Sequence, residues 1–78
     1  MIYELIMPQE GMAMSDGDIL KWYVKVGDTV EEGQPFVEVE AAKASFTINS
    51  PYSGKVVEIL YEEGDNVAIN LPIARIEG

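Results

Sequence analysis

An all-β sandwich built from two similar halves is the fold class this 78-residue chain predicts, on three observations. Apolar residues alternate with polar ones in short runs, the pattern of half-buried strands rather than helices. Gly, Pro, Asn and Asp bound those runs, as turns require. Residues 17–40 also recur as residues 54–77 at a constant offset of 37, without a gap. Two such halves, each too small to bury a face alone, pack most simply about a two-fold axis.

The first expected strand is 2–7, ended by Pro8. Strand 18–25 follows, with Leu20, Trp22 and Val24 in the inward phase and Lys21 in the outward one. Gly27-Asp28 marks a turn into a very short strand at 28–30. Pro35 precedes strand 36–40, and strand 45–50 comes next. The second half then repeats the first. Strand 55–61 carries Val57, Ile59 and Tyr61 inward, with Glu58 outward; a short strand at 65–68 and a longer one at 72–77 complete the set. Across the repeat, Gly17, Gly27, Asp28, Val30, Pro35 and Glu40 fall on Gly54, Gly64, Asp65, Val67, Pro72 and Glu77. "PQEG" at 8–11 resembles "PYSG" at 51–54 at an offset of 43, which lays Tyr3 and Leu5 over Phe46 and Ile48. The first half therefore carries six extra residues, "MAMSDG", 12–17. Under the two-fold, strand 2–7 arrives where strands 36–40 and 45–50 are joined. The extra loop should sit beside that join, and strand 72–77 should end at the opposite pole.

Composition narrows the function. The chain is one small domain, 1–78, without cysteine or histidine. That excludes disulfides, thiolate zinc sites and any nucleophile–histidine pair. Paired carboxylates such as Asp16 and Asp18 remain, but so small a barrel leaves little room for a substrate cleft. The reading is a non-catalytic module. Fourteen acids against five bases give a net charge of −9, which repels nucleic acid and anionic membranes. No apolar run approaches the roughly 20 residues that span a bilayer, and Met1-Ile2-Tyr3-Glu4 has no basic leader. The isolated domain is expected to be a monomer.

One residue stands apart. Lys43 lies in "VEVEAAKASFTI" (37–48), between two expected strands and flanked by Ala42 and Ala44. A solvated surface lysine is the ordinary reading. A buried catalytic lysine would need apolar or cationic packing, which a hairpin tip does not supply. A projecting amine on a rigid turn, with small neighbours and a variable loop alongside, offers a substrate for covalent modification.

The whole of 2–77 resembles the biotinyl/lipoyl attachment domain family. "MPQEGMAMSDGDILKWYVKVGD" is similar to its N-terminal half, "VEVEAAKASFTINSPYSGKV" to its attachment hairpin and following turn, and "EGDNVAINLPIARIE" to its C-terminal repeat. The resemblance implies a flattened β-barrel of two four-stranded antiparallel sheets with pseudo-two-fold symmetry, a barrel-sandwich hybrid, carrying a cofactor amide-linked to Lys43. Biotinyl hairpins of the family place methionine or another large apolar residue on both sides of the lysine; here both are alanine. Lipoyl hairpins read Glu-Thr-Asp-Lys-Ala or -Val. Glu40 and Ala44 fit that pattern, and Ala42 departs from its aspartate, a position that in the family helps partners read the domain. Lipoate is the favoured cofactor, with biotin the alternative; an unmodified adaptor that reuses the fold is a further reading.

As a lipoyl domain, the resemblance implies a lipoate ligase or lipoyl transferase that loads Lys43. A thiamine-diphosphate 2-oxo acid decarboxylase, an acyltransferase core and a dihydrolipoyl dehydrogenase would follow. The compartment implied is bacterial or archaeal cytoplasm, or the mitochondrial matrix. For recognition, loop 12–17 offers Met12 and Met14 as adaptable apolar contacts and Ser15 and Asp16 as polar ones; alternatively one of the methionines caps the barrel end. Trp22 reads as core. Glu31, Glu32, Glu38 and Glu40 can attract a basic partner, although Glu38 reads better as charge that protects an edge strand.

Overall fold

The computed structural model describes every residue except 42 and 43. Eight strands follow in chain order: β1 Ile2–Ile6, β2 Asp16–Trp22, β3 Thr29–Val30, β4 Pro35–Ala41, β5 Ala44–Asn49, β6 Gly54–Ile59, β7 Asn66–Ala68 and β8 Pro72–Glu77. They form two four-stranded sheets, ordered β1-β8-β6-β3 and β5-β4-β2-β7. All the pairings are antiparallel. Exchanging β1 with β5, β2 with β6, β3 with β7 and β4 with β8 turns one sheet order into the other. The all-β, two-fold sandwich expected from the sequence is therefore the observed fold. Its central strand pair in each sheet comes from one half, and both edges come from the other.

The symmetry extends to single hydrogen bonds. In the first half Lys25 N donates to the Asp28 carboxylate at 3.0 Å, and in the second Glu62 N donates to that of Asp65 at 2.8 Å. Gly27 and Gly64 hold φ near +100° and +94°, the left-handed turn that glycine adopts without steric cost. Each Gly-Asp turn then bonds to the opposite half. Gly27 N donates to Val56 O and Val56 N to Asp28 O, both at 2.8 Å; Gly64 N donates to Ile19 O at 2.7 Å and Ile19 N to Asp65 O at 2.8 Å. The repeated Gly-Asp pairs are thus the clasps between halves.

These clasps sit at a pair of bulges that correct the expected inward phase. The β2–β4 register shifts between Ile19 and Lys21, and the β6–β8 register shifts at the equivalent place, between Val56 and Glu58. An extra residue in a strand reverses which face its neighbours occupy. Ile19 and Val56 therefore point into the core, 1% and 0% exposed. Leu20 and Val57, expected inward, are 41% and 36% exposed. Trp22, beyond the bulge, packs against the core as expected. Its Nε1–H donates to Tyr61 O at 3.0 Å, and its ring meets Phe36 edge-on at 6.0 Å.

Phe36, Val37 and Val39 of β4 correspond, at the 37-residue offset, to Ile73, Ala74 and Ile76 of β8, and all six are buried in one core cluster. Two further expectations need correction. Asp16 and Gly17 belong to β2 rather than to a loop, because they pair with Ala68 and Val67 of the short strand β7. Glu38 lies on β4, between β5 and β2, so it does not guard an edge. Outside the core, Arg75 on β8 reaches both Glu4 on β1 and Glu58 on β6, tying three strands across the outer face.

Candidate attachment site

The site is built where β4 hands over to β5. Along β4 and β5, Glu40 faces Ser45 and Ala41 faces Ala44, so the ladder is paired up to the last residue on each side. Residues 42 and 43 alone join the two strands. Ala42 and Lys43 lie outside the described residues, so the geometry available is that of their neighbours. Ala44 is exposed and Ala41 half-buried. Glu40 is exposed and stands opposite Asp18 of β2.

The loop between β1 and β2 comes to this join, as the repeat predicts. Glu10, Gly11, Ala13 and Met14 of the loop line a pocket of about 170 Å³ together with Ala41, Ala44 and Phe46 of the hairpin strands. The loop holds its own shape. Met14 N donates to Gly11 O at 3.0 Å, the Gln9 side-chain amide donates to Met14 O at 3.2 Å, and Glu10 N donates to the Met14 sulfur at 3.3 Å. The chain ends lie away from the join: Met1 and Gly78 exchange backbone hydrogen bonds at the far end of β1.

The two loop methionines divide. Met12 is 100% exposed and available to a partner. Met14 is 5% exposed and belongs to the core, so it meets the alternative expectation of a methionine that caps the barrel end and corrects its reading as a surface contact. Ser15 and Asp16 are exposed, but their polar groups are already engaged. Ser15 Oγ donates to Asp16 at 2.9 Å. The Asn66 amide donates to Asp16 at 2.7 Å and to Asp18 at 2.8 Å. The bonds from Asn66 and Ser15 hold the Asp16 carboxyl below its ordinary range. Among the described residues no cluster of His, Cys, Asp or Glu is arranged to hold a metal ion.

The pocket itself escaped the sequence reading, yet a signal for it was present. In "PYSG" the second half carries Tyr52 where "PQEG" of the first half carries Gln9. Tyr52 stacks on Tyr3, with ring centroids 4.2 Å apart and planes 12° apart. Phe46 is the symmetry mate of Tyr3, but Gln9 brings no ring to cover it and turns instead to the loop carbonyls. The pocket over Phe46 is where the two-fold is broken.

Comparison with known proteins agrees with this architecture. The chain matches the Biotin_lipoyl family, described as "Biotin-requiring enzyme", over residues 3–76. It is 39% identical over 77 residues to the dihydrolipoyllysine-residue acetyltransferase component of the pyruvate dehydrogenase complex of Staphylococcus aureus, covering 99% of this chain and 18% of that protein. The protein of the same description from Corynebacterium glutamicum is 44% identical over 70 residues, covering 90% and 10%. The chain thus spans less than a fifth of the length of these relatives. Among solved structures, urea carboxylase of Kluyveromyces lactis superposes with a TM-score of 0.83 at 30% identity, covering 99% of this chain and 6% of that one. The lipoyl domain of the 2-oxoglutarate dehydrogenase complex of Azotobacter vinelandii superposes with a TM-score of 0.79 at 23% identity, covering 96% and 95%, a likeness of fold. With its symmetric sheets, its paired hairpin and a family match that spans nearly the whole length, the chain belongs to the biotinyl/lipoyl attachment domain family.

Proposed function

We propose that this domain is a lipoyl carrier: lipoate joined to Nζ of Lys43 makes an arm that conveys acyl groups and reducing equivalents between the active sites of a 2-oxo acid or acetoin dehydrogenase complex. One observation carries the reading. The β4–β5 ladder is closed up to Ala41 and Ala44, so Lys43 falls within a two-residue join, at the end of the sandwich away from Met1 and Gly78. The join can carry an amide-linked group, because Ala41 and Ala44, the described residues that bound it, have only methyl side chains. The acetyltransferase components similar to this chain favour lipoate over biotin.

The attached dithiolane would supply the acyl-transfer and redox chemistry; the chain supplies position and recognition. Strand pairing fixes the register of the join, and a slip of one residue would turn the lysine to the other face. A ligase that reads lysine by place needs that constancy. Tethering keeps the carried group at an effective concentration set by the linker rather than by dilution. Partners on this reading are the ligase or lipoyl transferase, the thiamine-diphosphate decarboxylase, the acyltransferase core and the dihydrolipoyl dehydrogenase. Glu40, Met12 and the Ser15-Asp16 pair present exposed contacts on the same end of the domain.

Co-expression with lipoyl and biotin ligases, followed by intact mass measurement, tests the proposal. A lipoyl increment that disappears in Lys43→Arg is expected, with Lys21, Lys25 and Lys55 unmodified. A biotinyl increment would make the domain a carboxyl carrier. No increment with either ligase would leave an unmodified adaptor and defeat the carrier reading.

A further inference from the structure

We propose that the free edge of β1 accepts an extended segment of another protein as a fifth strand of its sheet. The segment it fits carries a basic residue with one apolar residue two places before it and another two places after. Such docking is independent of whatever Lys43 carries.

The backbone of this edge is open. β1 has one neighbour in its sheet, β8. Met1 and Gly78 exchange a pair of hydrogen bonds, each 3.0 Å long, which sets the phase of the ladder. In an antiparallel pair, bonded positions alternate with unbonded ones. Tyr3 and Leu5 therefore bond to β8, while the N–H and C=O of Ile2 and Glu4 point away from it. Met7 continues the bonded set: its N–H donates to Leu71 O at 2.9 Å, and its carbonyl accepts from Asn70 N at 2.8 Å. Ile6 thus points outward too. The bulge in this pair adds its residue, Ile73, to β8, so β1 itself runs unbroken. Ile2, Glu4 and Ile6 each leave a donor and an acceptor for a further strand to pair.

The side chains say what kind of strand. The other three edges are blunted: β3 and β7 are two and three residues long, and β5 shows solvent Ser45, Thr47 and Asn49. At the offset of 43, those three are the mates of Ile2, Glu4 and Ile6. The fold thus holds its shape with polar residues at these places, and the sandwich does not need the exposed Ile2 and Ile6. Leu71, also exposed, continues the apolar border past Ile6. Between the two isoleucines stands Glu4. Arg75 engages one of its oxygens, Oε2, at 3.1 and 3.2 Å, and also reaches Glu58. Oε1 has no partner among the described residues, and two acids around one base leave the group negative. A strand laid along β1 sets alternate side chains against Ile2, Glu4 and Ile6. Apolar residues suit the first and last, and a cation suits the middle. A second copy of this chain, pairing β1 with β1, would instead set Glu4 against Glu4 in a molecule already at −9.

The test uses the 78-residue chain, isotope-labelled for NMR, and the peptide acetyl-Thr-Val-Thr-Lys-Thr-Val-Thr-amide. A short added strand binds weakly, so the titration runs to about 5 mM. Amide shifts and slowed hydrogen exchange are expected at Ile2, Glu4 and Ile6, with Ser45, Thr47 and Asn49 unmoved. A peptide with Glu in place of Lys should bind about tenfold more weakly. The double variant Ile2→Ser, Ile6→Asn gives β1 the side chains of its mate, which the fold already tolerates. It should keep the folded amide spectrum and bind the Lys peptide about tenfold more weakly. No shift at the top of the titration, equal binding of the two peptides, or undiminished binding by the double variant would overturn the proposal. So would slowed exchange at Ile2, Glu4 and Ile6 on concentrating the protein alone, which would make a second copy the occupant.

Discussion

Substituting alanine for Gly54 tests how closely the neighbouring strands β6 and β8 are drawn together. Gly54 opens β6, faces Val30 of β3, and lies against the backbone of β8. A methyl added there would collide with the Glu77 carbonyl oxygen, stand 2.9 Å from the Glu77 carbonyl carbon and lie 3.0 Å from a methyl of Ile76. The first two obstacles are backbone, which cannot turn aside as a side chain can. Relief requires β6 and β8 to part, loosening the ladder from Lys55–Glu77 to Val56–Ile76. Overpacking of this sort costs about 1–3 kcal/mol, and a backbone obstacle places Gly54→Ala near the upper end, about 3 kcal/mol. A domain of this length holds roughly 4–12 kcal/mol of stability in all. At about 4–8 °C per kcal/mol, Tm should fall by about 12–24 °C. Gly17, the symmetry mate, meets a side chain instead: its added methyl would lie 2.6 Å from a Val39 methyl, which can shift. Gly17→Ala should therefore cost less, about 1–2 kcal/mol. Gly11, with nothing within 4 Å of an added methyl, should change stability by no more than about 0.5 kcal/mol. Urea unfolding followed by the fluorescence of Trp22, the single tryptophan, reads all three. A Gly54→Ala protein as stable as the parent, or less affected than Gly17→Ala, would refute the reasoning.

The loop methionines should separate just as clearly. Met14→Ala is expected to cost about 2–5 kcal/mol in the same unfolding assay, as a buried truncation does. Met12→Ala should stay within about 0.5 kcal/mol, as expected of a fully exposed site; equal losses would contradict the assigned burial. The Asp16 carboxyl should titrate below the ordinary 3.8 because Asn66 and Ser15 donate to its charged form. A depressed folded-state pKa contributes stability above the unfolded value, and that contribution fades as pH falls through the folded one. In Asn66→Ala the carboxyl midpoint, read by carbon NMR, should move up toward 3.8; an unmoved midpoint would show that Asn66 is not the cause.

Much of this architecture was legible because it rests on local chemistry written twice. The Gly-Asp turns, Pro35 and Pro72, and the 37-residue offset located the strands and the two-fold axis. They also place the β1–β2 loop beside the hairpin, where Glu10, Gly11, Ala13 and Met14 meet Ala41, Ala44 and Phe46. Leu20 and Val57 were misplaced for the opposite reason. Simple alternation assumes an unbroken strand, and the bulges at Ile19 and Val56 arise from hydrogen bonds to the other half, a tertiary cause that no local window contains. The burial of Met14 is of the same kind. A methionine in a polar loop looks like a contact for partners until the Gln9 and Glu10 bonds turn it inward. Glu38 reads as edge charge in the sequence because alternation places a strand in a sheet but does not say which neighbours flank it.

Neither half owns a sheet. Each four-stranded layer takes its inner pair from one segment and its two borders from the other, so residues 1–41 or 44–78 alone would leave both layers incomplete. If such a module arose by duplication, its half-length precursor could have held this shape only as a pair of identical chains, exchanging border strands and clasping through Gly-Asp corners across a true dyad. Fusion would then have made one polypeptide of a dimer and let the two poles diverge: one with an aromatic seal, the other with a cleft beside the strand ends at Ala41 and Ala44.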